Sequence, residues 1–210
     1  MSILKRLASL QNRRDDVSNQ ELARELAATQ NIAGIREIAE NIFNQDKNIQ
    51  GDCVKVLYEI GYINPELISQ YCLDFLKLLR SNNNRLVWGA MIALAEIAVI
   101  EADVIFENLE TVYSAIKQGS VITIDNGIKV LAAVASKNQA YNKSIFPYLL
   151  NHLKTCRPKE VGQHAESTFI AVNKHNRDEF VIVLQDREPS LTNAQLARVK
   201  KLFKALDKKH

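Results

Sequence analysis

The chain reads as all-α, an α-α superhelix of about five to six antiparallel helix pairs, and three observations predict it. Apolar residues recur at steps of three and four along most of the 210 residues. That pattern repeats at a fixed offset of 37 residues. Seven glycines and four prolines are too few to punctuate a sandwich or barrel of many short strands. With 47% hydrophobic and 24% charged residues, the chain also carries enough apolar material for a continuous core and lacks the composition of a disordered segment.

The repeat is clearest where residues 54–68 align without a gap on residues 91–105. Val54 meets Met91, Leu57 meets Leu94, Glu59 meets Glu96 and Ile60 meets Ile97. Ile63 then meets Ile100, Leu67 meets Val104, and Ile68 meets Ile105. A second step lands on Ile128, Leu131 and Val134. Upstream, Ile35, Ile38 and Ile42 map onto Cys72, Phe75 and Leu79, then onto Leu109, Val112 and Ile116. A three-residue insertion near 138–143 precedes the last copy, where Phe146 and Leu149 take the places of Phe106 and Leu109.

Each copy holds two amphipathic patterns. The spacing predicts first helices near 31–44, 66–80, 104–118 and 143–155, and second helices near 49–62, 85–99, 123–137 and 160–173. Asn64, Pro65 and Glu66 read as a helix start, as do Pro158 and Glu160. Asn82, Asn83 and Asn84 supply a turn and a cap. Gly119 stands where a helix end favours a left-handed residue. Ser18 with Glu21, and Thr192 with Gln195, match capping boxes. The β-branched run 121–124 fits one turn of buried helix. Helices near 2–11 and 18–29, and the segment from 176 onward, match the repeat poorly. Terminal caps do so because one face must meet water. The organisation expected is therefore one domain over 1–210, with caps at 1–30 and 184–210 around repeats at 31–183.

No apolar run approaches the roughly 18 residues needed to cross a bilayer, and residues 1–14 lack the uninterrupted apolar stretch of a signal peptide. Cys53, Cys72 and Cys156 are too few and scattered for a disulfide framework, so a reducing, cytoplasmic setting is expected. A net charge of only +3 argues against a polycation built for nucleic acid.

Antiparallel helix pairs recurring every 37 to 40 residues resemble the HEAT and armadillo-like families, over residues 31–183. The ladder of Asp and Lys/Arg at the turn into the second HEAT helix is only partly present, since Asp52 has Gly89 and Asn126 as its counterparts. The resemblance implies a curved, non-enzymatic scaffold whose second helices line a concave groove. It leaves the cargo, an unidentified protein or peptide, open.

On the second helices, Lys55 stacks in the columns over Ile92 and Lys129, and Glu59 over Glu96 and Ala133. Tyr58 and Tyr62 flank this stripe, and the lone Trp88 sits beside Arg85. Aromatic and Arg anchors dominate binding energy at interfaces. Lys55, Tyr58, Glu59, Arg85, Trp88, Glu96 and Lys129 are thus the candidate partner-binding residues, in a mixed-charge groove suited to a peptide or a partner helix.

Residues 191–210 carry six Lys/Arg against Asp207 alone, with Leu196, Val199, Leu202, Phe203 and Leu206 as an apolar stripe. This basic amphipathic helix reads first as a cap, and second as a binding element for acidic partners, membranes or nucleic acid. His152 and Cys156 are four apart with His164 on the following helix, but no fourth donor has a recognisable zinc spacing, and Cys156 falls in a core column. No metal and no cofactor are expected. No phosphate-binding loop, nucleophile elbow or HExxH occurs, so catalysis is not expected. An alternative follows from the fold resemblance alone: alkylpurine DNA glycosylases are built from HEAT-like pairs with groove tryptophans and an aspartate. Here the position one turn after Trp88 is Ile92.

Overall fold

The computed structural model describes residues 2–209, Lys209 by its backbone alone. Met1 and His210, which end the two expected caps, lie outside the described residues. Among the described residues there is no strand. Two 3₁₀ turns, Ile3–Arg6 and Ser9–Gln11, lead into α1 (Val17–Ala28), α2 (Ile32–Glu40), α3 (Lys47–Ile63), α4 (Glu66–Ser69), α5 (Cys72–Leu78) and α6 (Asn84–Ile97). Then come α7 (Ala102–Glu107), α8 (Leu109–Gln118), α9 (Val121–Ser136), α10 (Gln139–Thr155), α11 (Pro158–Thr168), α12 (Arg177–Arg187) and α13 (Asn193–Lys209). Backbone contacts divide the chain into two compact units, Met1–Gly127 and Ile128–His210, and α9 runs through the division.

In the first unit α1 packs on α3 and α3 on α6. The repeat columns supply the contact: Val54, Leu57, Ile60, Met91, Leu94 and Ile97 are all buried. Ile35, Ile38 and Phe75, on the first helices, close the core from the other side. Gly89 is required by this packing, because a Cβ there would lie 2.6 Å from Val54 Cγ1. Val54 is β-branched and stiff inside a helix, so it has little freedom to yield. Cys53 and Cys72 are buried thiols in the same unit, and burial pushes both up to about 12, with Asp52 and Glu37 adding to the effect at Cys53 and Glu101 at Cys72.

In the second unit Leu149, Leu153, Val161, Ala165, Phe180, Leu184, Val199 and Leu206 form the core. Asn142 is a buried polar hub there. Its amide donates to the carbonyls of Ala171 (2.8 Å) and Ala135 (3.2 Å), and its oxygen accepts from Asn176 (2.9 Å). The apolar stripe of α13 packs inward, with Val199, Leu202 and Leu206 buried, and Arg198 pairs with Glu166 of α11. Arg177 on α12 reaches Asp207 at 2.7 Å.

Several sequence expectations are corrected. The middle first helices are each broken, into α4 with α5 and α7 with α8, and the expected helix at 2–11 is two 3₁₀ turns. The expected helix at 160–173 ends at Thr168 and continues as a single 3₁₀ turn. Ser18 does not cap α1; it is buried and donates to Gln11 at 2.9 Å, while Asp15 accepts from the Val17 N–H. The box at Thr192 and Gln195 does form. Gly119 adopts φ −82° and ψ 167°, an extended conformation. Its need for a glycine is steric: a Cβ would meet the Ala115 carbonyl at 2.5 Å and Thr123 at 2.6 Å. Run 121–124 is helical, but Val121 and Ile122 are exposed. Ile63 and Ile100, aligned as core columns, stand 52% and 42% exposed, since α3 ends at Ile63 and Ile100 lies past the end of α6. Residues 183 and 184, the expected junction of repeats and cap, lie inside α12.

Gly89→Ala is expected to lower unfolding free energy by about 1–2 kcal/mol in urea denaturation, overpacking exceeding the gain in helix propensity; a neutral result would mean α3 and α6 have room to part. A second expectation concerns alkali. The unfolded thiols lose their protons near pH 8.5, whereas Cys53 and Cys72 keep theirs to about 12 in the folded chain. Stability is therefore complete below about pH 8.5 and falls as pH rises through that window, by up to about 1.4 kcal/mol per pH unit for each thiol. Urea midpoints measured at stepwise higher pH should fall less steeply in Cys72→Ala than in the parent chain.

Candidate functional site

Asp46 caps α3, accepting from the N–H groups of Asn48 (2.8 Å) and Ile49 (3.4 Å), and Asn83 caps α6 through Arg85 N–H at 3.0 Å. These caps fix where each long helix begins, and hence which side chains share its outer face. Tyr58 and Tyr62 lie one turn apart on α3 with ring centroids 5.9 Å apart, edge to face. Trp88 reaches Tyr58 from α6, at 6.1 Å between centroids. Tyr62 is 54% exposed, Trp88 is half-buried and Tyr58 is only 5% exposed.

Charges brace this aromatic row. Lys55 Nζ lies 2.7 Å from Glu59 and 3.6 Å from Asp16, and sits 4.8 Å from the centre of the Tyr58 ring. Burial works against the Lys55 ammonium, but Glu59 and the Tyr58 hydroxyl outweigh it and hold its pKa above the ordinary lysine range. Desolvation raises the pKa values of Tyr58 and Tyr62, so both phenols stay neutral through the physiological range. Asp52, buried on α3, accepts from the Ser9 N–H (2.8 Å) and from Arg85 of α6 (3.3 Å), and Asp16 lies 3.8 Å from the same guanidinium. Glu96 of α6 packs beside Gly61 of α3, where a Cβ would sit 3.3 Å from its own Cβ.

Six of the seven sequence candidates thus fall on α3 and α6 of the first unit, and they do not play equal parts. Lys55 is 9% exposed and committed to two acids, and Tyr58 is buried, so both support the face more than present it. Arg85 is exposed, and Trp88, Glu59 and Glu96 are half-buried. Lys129 is an exposed residue of the second unit. The Asp52 ladder, which fails along its own column, is replaced by the cross-helix pair with Arg85, a partner that column alignment does not connect. Exposed Val99 was also missed, because an apolar residue in a repeat reads as core. It aligns with Tyr62 at the 37-residue offset, which is the signal that could have found it.

A cleft of about 640 Å³ opens elsewhere in the first unit, lined by Arg80, Asn84, Val87, Thr111 and Gln118 among others. Arg80 donates to Thr111 at 3.0 Å across it, and its lining holds neither His nor Cys. Among the described residues one group could hold a metal ion: His152, Cys156 and His164, with ligand atoms within 4.8 Å of one another. Cys156 is half-buried at the extended C-cap of α10, which corrects its assignment to the core.

No known protein family matches the chain, and no curated protein does either. Solved structures do. An engineered protein superposes with a TM-score of 0.68 at 19% identity, covering 99% of this chain and 98% of that one. A designed armadillo repeat protein in complex with the peptide (KR)4 gives 0.67 at 14% identity, over 97% and 99%. Kap121p gives 0.64 at 16% identity, covering 95% of this chain but 22% of its own. The fold is a HEAT/armadillo-like all-α superhelix, and the split first helices of the middle copies match the three-helix form of such repeats. No helix among the described residues is long and apolar enough to cross a membrane.

Asp52→Ala strips a part-buried N–H and a guanidinium of one acceptor. It is expected to cost about 2 kcal/mol in urea denaturation, with helix content by circular dichroism unchanged.

Proposed function

We propose that this chain is a non-enzymatic binding scaffold, and that the outer face of α3 and α6 holds an extended peptide segment bearing basic side chains. The observation that carries the reading is the aromatic row Tyr62–Tyr58–Trp88, spanning two stacked helices and held rigid from beneath by the Lys55–Glu59–Asp16 network. A rigid aromatic surface binds without the entropy cost of ordering itself. Acids outnumber bases around it, with Asp16, Asp52, Glu59 and Glu96 against Lys55 and Arg85, which favours a cationic segment. The designed armadillo repeat protein that shares this fold holds the peptide (KR)4, which supports the same choice. Exposed Tyr62 and Val99, one repeat apart, give the segment apolar footing at successive copies.

Trp88 is the single tryptophan, so its emission reports on this face alone. Titration with an eight-residue Lys/Arg peptide should change that emission saturably, with affinity falling as salt rises. An Asp/Glu peptide of the same length should bind at least about tenfold more weakly. Glu96→Lys should cost the basic peptide about tenfold, and Tyr62→Ala a similar factor. Equal affinity for both peptides, or binding untouched by both substitutions, would remove the face from consideration. Tight retention of duplex DNA with release of alkylated bases would favour the glycosylase alternative instead.

A further inference from the structure

Three side chains of the second unit converge without serving the aromatic face. His152 stands in the last turn of α10, Cys156 follows four residues later at that helix's C-cap, and His164 comes from α11. His152 Nε2 lies 2.8 Å from His164 Nδ1, and all three donor atoms fall within 4.8 Å of one another. The imidazole rings are 4.8 Å apart between centroids, tilted by 51°. His164 is fully buried, whereas His152 and Cys156 are half-buried, so the cluster has a closed floor and one side toward water. Two imidazoles and a thiol suit a borderline-soft ion; the oxygen-preferring Ca²⁺ and Mg²⁺ would find poor ligands.

We propose that His152, Cys156 and His164 form a zinc site, with water as the fourth ligand. Tetrahedral Zn²⁺ at its usual bond lengths sets ligand atoms about 3.3–3.6 Å apart. The imidazole nitrogens need to separate by about half an ångström from their present 2.8 Å, and the thiol to approach by about one, shifts within reach of side-chain rotation. Binding replaces the imidazole–imidazole hydrogen bond by two nitrogen–zinc bonds. The ring that donates that bond shifts to the tautomer protonated at its other nitrogen, its bridging proton leaving to solvent as the other nitrogen takes one up. The Cys156 thiol gives its proton to solvent as the sulfur–zinc bond forms.

The supporting shell is already in place. Arg187 of α12 donates to the carbonyls of Leu153 (2.7 Å), Lys154 (2.6 Å) and Cys156 (2.7 Å), locking the helix end from which His152 and Cys156 project. On the other arm, Pro158 at the first position of α11 and the Glu160 carboxylate, which accepts from the Arg157 backbone N–H (3.3 Å) and from its guanidinium, fix the start of the helix that carries His164. Zinc here would clamp the end of α10 to α11 across the turn between them.

The test uses the untagged full-length chain, stripped with EDTA and dialysed. Calorimetric titration with ZnCl₂ should give one ion per chain, and Co²⁺ in its place should show a thiolate charge-transfer band with the intense visible absorption of four-coordination. Cys156→Ser should abolish that band and weaken Zn²⁺ binding by about a hundredfold or more, beyond what loss of a supporting group costs. His152→Gln, also at a half-buried position, should weaken binding comparably while helix content stays unchanged. Zn²⁺ at a hundred times its Kd should raise the Tm of the parent chain by about 5–10 °C. Absence of saturable binding of either metal by the parent chain would overturn the site. A cobalt–thiolate band that survives Cys156→Ser and disappears in Cys72→Ser would overturn it equally.

Discussion

A helix pair of this length presents an apolar face that it cannot cover by itself, and the architecture of the first unit follows from that constraint. Each long helix must lie against the next, so α3 is packed between α1 and α6 and is buried on every side from Gly51 to Tyr58. Close approach of α3 and α6 needs a residue without a side chain where Val54 projects, and Gly89 is that residue. Once the two helices are in register, the outward positions of each are in register too. The aromatic row exists because of the core contact beneath it.

The same stacking explains how charge is handled. Lys55 and Asp52 occupy positions on α3 that the neighbouring helices shield from water, and an isolated charge in such a place is costly. Each is matched across a helix boundary, Lys55 to Asp16 and Asp52 to Arg85; Lys55 also pairs with Glu59 on its own helix, and Asp52 also accepts from the Ser9 N–H. The pairs cross-link consecutive copies, so a mixed-charge stripe that reads as a solvated face is in part internal bracing. What stays presented is Tyr62 and Arg85, with Trp88, Glu59 and Glu96 half-buried between them.

In the second unit the polar groups gather at helix ends. Asn142 and Asn176 satisfy carbonyls freed where α9 and the 3₁₀ turn after α11 finish, and Arg187 does so at the end of α10. An arginine spent on three carbonyls also immobilises the backbone of Cys156. The convergence of His152, Cys156 and His164 is thus a consequence of capping: two well-fixed helix ends bring their side chains to one point.

Periodicity by itself determined the all-α class, the helix pairs, and most of their limits, because burial of one face imposes a step of three to four on any sequence that folds this way. It also set Tyr58 and Tyr62 one turn apart, but at the 37-residue offset Trp88 stands over Gly51, so its contact with Tyr58 was not legible there. It could not tell Ile63 and Ile100 from core, because a column records apolarity and not whether a neighbour extends far enough to cover it. Nor could it pair Asp52 with Arg85, or bring His164 onto His152. Those contacts join residues 33 and 12 positions apart, and they depend on helix ends, side-chain reach and packing distance. These quantities exist only once the helices have been set against each other.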